Sequence, residues 1–228
     1  MKKFPITILD NFYENPDLVR DYALSLQYYP SENGAWPGLR TKLLSEIDPN
    51  FFKTFCNKLF GLFFDFENTK VDWEVETNFQ KINSFSEDSN DIKNTGWIHS
   101  DDDCIFGGVI YLNPNPQPNW GTSIYNLKPE QSSCGEFKTK FLHYSGKDFN
   151  ENEHLFEKTT HNNKFIETIR IENFYNRIIM YDRDVYHGVP SYYSDSNEPR
   201  LTQVFFVKEI ISSGNFPVIR SRMSYDQL

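Results

Sequence analysis

Apolar and polar residues alternate in short runs along most of this chain, and the period changes between its two ends. "PITILDNFY" near the N-terminus alternates with period two and predicts a first strand. Asn15 and Pro16 then supply an N-cap and a first helical residue, with Leu18, Val19, Tyr22, Ala23 and Leu26 on one face of the helix that follows. "YYPSENGAWPGLRT" reads as loop from its Pro, Gly, Ser and Asn content. A second helix is expected from "DPNFF", capped by Asp48, with Phe51, Phe52, Phe55, Leu59 and Phe63 as its apolar stripe.

From Val71 the pattern becomes that of strands: "VDWEVETNFQKINSF", "CIFGGVIYLN", "GTSIYNL", "FIETIRIE", "NRIIMYD" and "RLTQVFFVKEI", separated by turn-forming residues. The two helices are expected to clad a sheet. The stretch from about Lys128 to Asn163 is polar and weakly periodic, and carries His143, His154 and His161. It reads either as an insertion covering a site or as a surface excursion, and its histidines, whose spacing fits no zinc pattern, as surface residues. There is no internal repeat and no low-complexity tract.

Composition supports a mainly β chain. The 228 residues include 21 Phe and 13 Tyr, which suits sheets packed through large flat side chains, and the length fits a single domain, 1–228, with helical cladding over 1–70 and a core over about 71–210. A net charge of -9 argues against nucleic acid or an anionic membrane as partner. Neither a signal sequence nor a membrane-spanning run is legible, and Cys56, Cys104 and Cys134 form neither a disulfide framework nor a CxxC pair, so a soluble, cytoplasmic protein is expected. Cys104 is expected to be a small buried apolar residue.

The candidate chemistry lies in "WIHSDDDCIFGGVIYLN", where one histidine and three aspartates precede an apolar strand. Charge placed against a core calls for a compensating cation. Residues i and i+2 of extended backbone point to one side, so His99 and Asp101 can reach one ion, while Asp102 points away and Asp103 is left as an alternative to Asp101. "RIIMYDRDVYHGVP" offers His187 as a third ligand, and two imidazoles with one carboxylate are the donor set of non-haem Fe(II) oxygenases. Thirteen residues further on, Arg200 opens "RLTQVFF" with Thr202 on the same face, a pairing suited to a carboxylate.

The order His-x-Asp, distant His, then Arg on the following strand, with "GGVIYLNPNPQPNWGTSIY" and "NRIIMYDRDVYHGV" around it, resembles the Fe(II)/2-oxoglutarate-dependent dioxygenases, in particular their prolyl-hydroxylase-like members. The resemblance runs from about Val71 to Val207. It implies a double-stranded β-helix, or jelly-roll, with Fe(II) held by His99, Asp101 and His187 and with 2-oxoglutarate and O2 as co-substrates. The distal carboxylate of 2-oxoglutarate would meet Arg200, helped by Thr202, and Tyr111 on "VIYLN" is read as an interior residue in contact with 2-oxoglutarate. Asp101 keeps a carboxylate where halogenating members have a small residue, so hydroxylation of a C–H bond in a small molecule or protein side chain is the implied reaction. The alternative is a non-catalytic jelly-roll module binding a metal or a carbohydrate. Trp36, Arg40 and Trp120 stand between substrate-cleft lining and ordinary loop packing, and Gln80 is left outside the site.

Overall fold

The computed structural model describes residues 3–132, 137–196 and 198–223; Cys134 lies outside them. The chain opens with β1 (Thr7–Leu9) and α1 (Pro16–Ser25), followed by the two-residue strands β2 (Tyr29–Pro30) and β3 (Leu39–Arg40). Two helices come next, α2 (Leu44–Ile47) and α3 (Pro49–Gly61). β4 (Val71–Ile82), β5 (Phe106–Tyr111) and β6 (Thr122–Leu127) then lead to α4 (Lys138–Tyr144) and α5 (Glu151–Asn162). The chain continues through β7 (Phe165–Ile171), β8 (Ile178–Asp182), β9 (Tyr186–Gly188), β10 (Arg200–Ser212) and α6 (Pro217–Arg220).

Two antiparallel sheets result. The larger runs in the order β1-β8-β5-β10-β4-β3-β2 and the smaller in the order β7-β6-β9. The long ladder of β10 with β4, from Arg200 opposite Ile82 to Ser212 opposite Val71, is the spine of the larger sheet. Its outer face buries Phe79, Phe106, Ile110 and Phe205 against α1 and α3, which contribute Val19, Ala23, Phe55, Leu59 and Phe60. Each such aromatic or leucine removed from water is worth about 1.5–3 kcal/mol, which makes this layer the main hydrophobic anchor of the N-terminal segment. Gly108 lies on the same face because an added Cβ would stand 2.1 Å from the Ile179 carbonyl oxygen and 2.6 Å from Phe205 Cζ. The inner face, through Tyr111, Ile179 and Tyr181, packs on Ile124 and Ile171 of the smaller sheet.

Several expectations hold in detail, and others are corrected. Asp48 caps α3 by accepting from the Phe51 amide at 2.9 Å, whereas the Asn15 side chain makes no cap bond to α1. Leu18 turns outward and is 69% exposed, so the apolar face of α1 consists of the buried Val19 and Ala23 with the half-buried Tyr22 and Leu26 packed against the same core. The loop before Thr41 contains β2 and β3, and β3 joins the larger sheet by pairing with β4. The Lys128–Asn163 stretch is no surface excursion: it forms α4 and α5. His154 and His161 in it are buried and His143 is half-buried, so the reading of all three as surface histidines is overturned.

Candidate functional site

His99 stands in a single isolated bridge at the edge of the smaller sheet, exchanging backbone bonds with His187 of β9: His99 N–H donates to the His187 carbonyl at 3.0 Å and the reverse bond is 2.8 Å. That reciprocal pair brings the two rings to 4.3 Å between centroids. Each ring is turned by its Nδ1. That of His99 lies 2.8 Å from the Trp97 carbonyl and that of His187 lies 3.0 Å from the Val185 carbonyl. A carbonyl accepts only, so both Nδ1 atoms carry the proton and both Nε2 lone pairs face inward, the tautomer a metal ligand needs.

Asp101 sits between them in extended chain, its amide donating to the Arg183 carbonyl at 3.2 Å. One carboxylate oxygen is 3.8 Å from His99 Nε2 and the other 3.7 Å from His187 Nε2. These gaps exceed hydrogen-bond length yet bring three potential ligand atoms within 4.8 Å of one another, which is how a donor set for one cation is spaced. Gly107 permits the arrangement, since a Cβ there would press on Asp101 Oδ2 at 3.2 Å. Desolvation in the cleft, then the charges of His187 and Lys140, hold the His99 imidazole well below its ordinary pKa and so keep it neutral near pH 7. Two imidazoles presenting Nε2 and one carboxylate fit Fe(II) or a similar divalent ion.

The remaining sequence candidates fall out as follows. Asp103 is taken by Lys208, whose Nζ is 2.6 Å from its carboxylate, and Asp102 accepts from the Ser100 hydroxyl at 3.4 Å. Arg200 is buried and opens onto the same cleft as the three ligands; its Nε donates to the Trp120 carbonyl at 2.6 Å and its guanidinium carbon is 5.5 Å from the Tyr111 ring centroid. Thr202 is buried, and its hydroxyl has no hydrogen-bond partner. The Tyr111 hydroxyl donates to Thr122 Oγ1 at 2.9 Å. Trp120 belongs to the packing, its indole bonded to the Tyr193 carbonyl at 2.6 Å. Cys104 is buried with its thiol pushed up to about 12 by burial, in keeping with a small apolar role.

Sequence reasoning missed several lining residues. Gln80, set aside earlier, lines the cleft and donates to the Pro37 carbonyl at 2.8 Å. Tyr181 stacks 4.2 Å from the His187 ring, its position two residues after the buried Ile179 being the available signal. Tyr192 enters from the loop between His187 and Arg200, anchored by its amide to the Asn94 carbonyl at 2.6 Å.

Residues 1–207 match the model of a family described as a family of unknown function, DUF6445. The chain belongs to that family. No curated protein matches this DUF6445 sequence. Among solved structures, the fold is similar to HygX from Streptomyces hygroscopicus with nickel and 2-oxoglutarate bound, at 9% identity and a TM-score of 0.53 over 90% of this chain and 83% of that one. The same enzyme with nickel, 2-oxoglutarate and hygromycin B bound gives 9% identity and 0.51 over the same shares. A prolyl hydroxylase from Trichoplax adhaerens, in complex with a hypoxia inducible factor oxygen degradation domain peptide fragment, gives 10% identity and 0.50 over 96% of this chain and 87% of that one. Identities this low speak for the fold alone: the DUF6445 chain is a mainly β jelly-roll with flanking helices, of the kind found in 2-oxoglutarate/Fe(II) oxygenases.

Proposed function

We propose that the chain is an Fe(II)/2-oxoglutarate-dependent oxygenase that hydroxylates a substrate C–H bond, with His99, Asp101 and His187 as iron ligands. The observation that carries this reading is one cleft lined by all three and, from β10 of the larger sheet, by the buried cation Arg200. A simple metal-binding module has no need of that cation; a dicarboxylate co-substrate does. The solved structures of similar fold with 2-oxoglutarate bound lend support.

Fe(II), 2-oxoglutarate and O2 together supply oxidative decarboxylation to succinate and CO2, with one oxygen atom delivered to substrate. The protein contributes placement and exclusion of water. His99 and His187 present Nε2, held in orientation by the Trp97 and Val185 carbonyls. Asp101 provides the negative charge. Arg200, with Nε fixed on the Trp120 carbonyl, keeps the rest of its fork for the distal carboxylate of 2-oxoglutarate. Thr202 offers a hydroxyl that has no protein partner, and Tyr111 one that is already oriented by Thr122. Tyr181 and Val109 close the sides of the cleft against solvent.

The decisive experiment is anaerobic titration of metal-free protein with Fe(II) and then 2-oxoglutarate, followed by the visible charge-transfer band of the chelate. Its appearance, and its loss in Asp101→Ala, supports the reading. Iron binding without the band, and without succinate release in air, would move the assignment to a non-catalytic metal-binding module.

A further inference from the structure

Beyond the metal ligands the cleft opens into a second cavity of ≈ 400 Å³, which shares His99, Asp101, Arg40, Tyr192, Pro37 and Phe206 with it. Its volume suits a small molecule. The two cavities meet at Arg40, and Arg40 is part of the sheet. β3 sets it opposite Gln80, Gln80 lies opposite Thr202, and Thr202 lies opposite Tyr111, a cross-strand row that ends at the site. The guanidinium is held between two rings, 4.6 Å from the Trp36 centroid and 5.5 Å from that of Phe206. Its Nε is buried with no hydrogen-bond partner.

The opposite wall is α4, which contributes Lys140, Phe141 and Tyr144. The two walls touch: a Cβ on Gly34, whose φ is +72°, would stand 1.8 Å from the Phe141 carbonyl oxygen, so the loop before β3 and α4 meet backbone to backbone. Among the described residues, neither the Arg40 guanidinium nor the Lys140 ammonium takes part in an ion pair or a hydrogen bond. The other charges of this cavity are accounted for. Lys208 bridges Glu76 at 3.2 Å and Asp103 at 2.6 Å, Asp101 faces the histidines, and Asp102 is exposed at the rim. On a chain of net charge -9, two cations face one cavity next to the metal ligands; the Asp101 carboxylate acts on both and Glu76 on Arg40, but among the described residues neither cation has a carboxylate within ion-pair distance.

We propose that Arg40 and Lys140 form a substrate subsite for an oxyanion, so that the molecule hydroxylated is a small anion carrying a carboxylate or a phosphate. This deepens the oxygenase reading and rests on it for the role of the cavity, but not for anion binding itself. Trp36, Tyr192 and Phe206 give the rest of such a substrate an aromatic wall, and Arg40 supplies the planar fork that selects oxyanions.

The test uses the full chain, labelled with 15N at arginine, without metal and then with Zn(II) and 2-oxoglutarate at saturation. Inorganic phosphate and N-acetylglycine are titrated separately while the Arg40 Nε–H resonance is followed. A saturable shift is expected with at least one probe, at least tenfold weaker in Lys140→Met; in the Arg40 variants, which lack that resonance, calorimetric titration with the same probe is expected to show Arg40→Lys retaining part of the affinity and Arg40→Met losing it. Response to phosphate alone assigns the substrate a phosphate; response to N-acetylglycine alone assigns it a carboxylate. No saturable shift with either, or one that Lys140→Met leaves unchanged, overturns the subsite. Because the metal-free arm needs no iron chemistry, anion binding there alongside failure of the charge-transfer band would sink the oxygenase reading and leave the anion site standing.

Discussion

Trp97 stands between two groups of histidines that the same chemistry treats in opposite ways. On one side its carbonyl holds His99, and with it the pair His99 and His187 around Asp101. On the other its ring packs 5.7 Å from His154 and 5.7 Å from His161, with His143 4.4 Å from His154. In the first group each Nδ1 is tied to a carbonyl, each Nε2 points at a carboxylate, and a cavity opens beside them. In the second, both ring nitrogens of His154 and Nδ1 of His143 find no hydrogen-bond partner among the described residues, and the ring neighbours include Phe85, Phe149 and Trp97. Histidines close together therefore do not make a metal centre. A carboxylate, an outer hydrogen bond to fix each ring, and room for the ion distinguish the two.

The most severe way to break that comparison is Asp101→Ala. Iron binding and turnover should be abolished, while His154→Phe should leave one iron per chain; metal analysis after desalting measures both. Iron lost from His154→Phe with the fold intact would make the second group a metal site as well. Next in size is Arg200→Ala, expected to raise the Kd for 2-oxoglutarate by roughly 10–100-fold, the worth of a charge-assisted pair, with iron affinity kept. Competition in the charge-transfer titration reads it.

Acid sharpens the comparison further. Burial, with neighbouring His154, Lys158 and Lys93, brings His143 down to about 4, and burial with Lys158 brings His154 down to about 4. Between about 4 and the ordinary value of 6.5 the unfolded chain binds more protons than the folded one, so this stability is full above pH 6.5 and is lost as pH falls toward 4. After allowance for the partial exposure of His143 its loss is about 1–2 kcal/mol, that of the buried His154 is about the same or larger, and His154→Phe should flatten the Tm-against-pH curve in that window. The smallest effect is expected at Lys158, buried, bonded to the Lys93 carbonyl at 3.2 Å and lowered to about 7 by burial. Lys158→Met should stabilise by about 1 kcal/mol at pH 7 in urea unfolding, because the unfolded lysine stays protonated to far higher pH than the folded one.

What could be read from the sequence followed from how each element displays its period. β4 alternates over most of its length, so strand and facing both emerge, whereas β10 is buried on both faces over Arg200–Phe205 and reads as a strand from its apolar β-branched and aromatic run; His99, Asp101, His187 and Arg200 could be chosen by order and strand context. β9 has three residues, too few to show a period, so His187 reads as following a strand although it sits in one. α5 hid for another reason. Its buried positions are His154, Lys158 and His161, a helical spacing of four and three written in polar residues, so a hydrophobic pattern cannot reveal it. Arg40 and Lys140 are a hundred residues apart and face one cavity only because β3 joins the sheet and α4 folds back on Gly34.

The strand that carries His99 has a consequence for anyone trimming this protein. Asn162 at the end of α5 accepts from the Ile98 amide at 3.1 Å and donates to the Gly96 carbonyl at 2.9 Å, while His161 Nε2 bonds the Ile98 carbonyl at 2.6 Å. On a diagram of strands alone, residues 128–163 look like a removable decoration. A shortened version lacking them would keep His99, Asp101 and His187 in its sequence and lose the brace that holds His99 to its partner, so the smallest working unit has to include the helical hairpin.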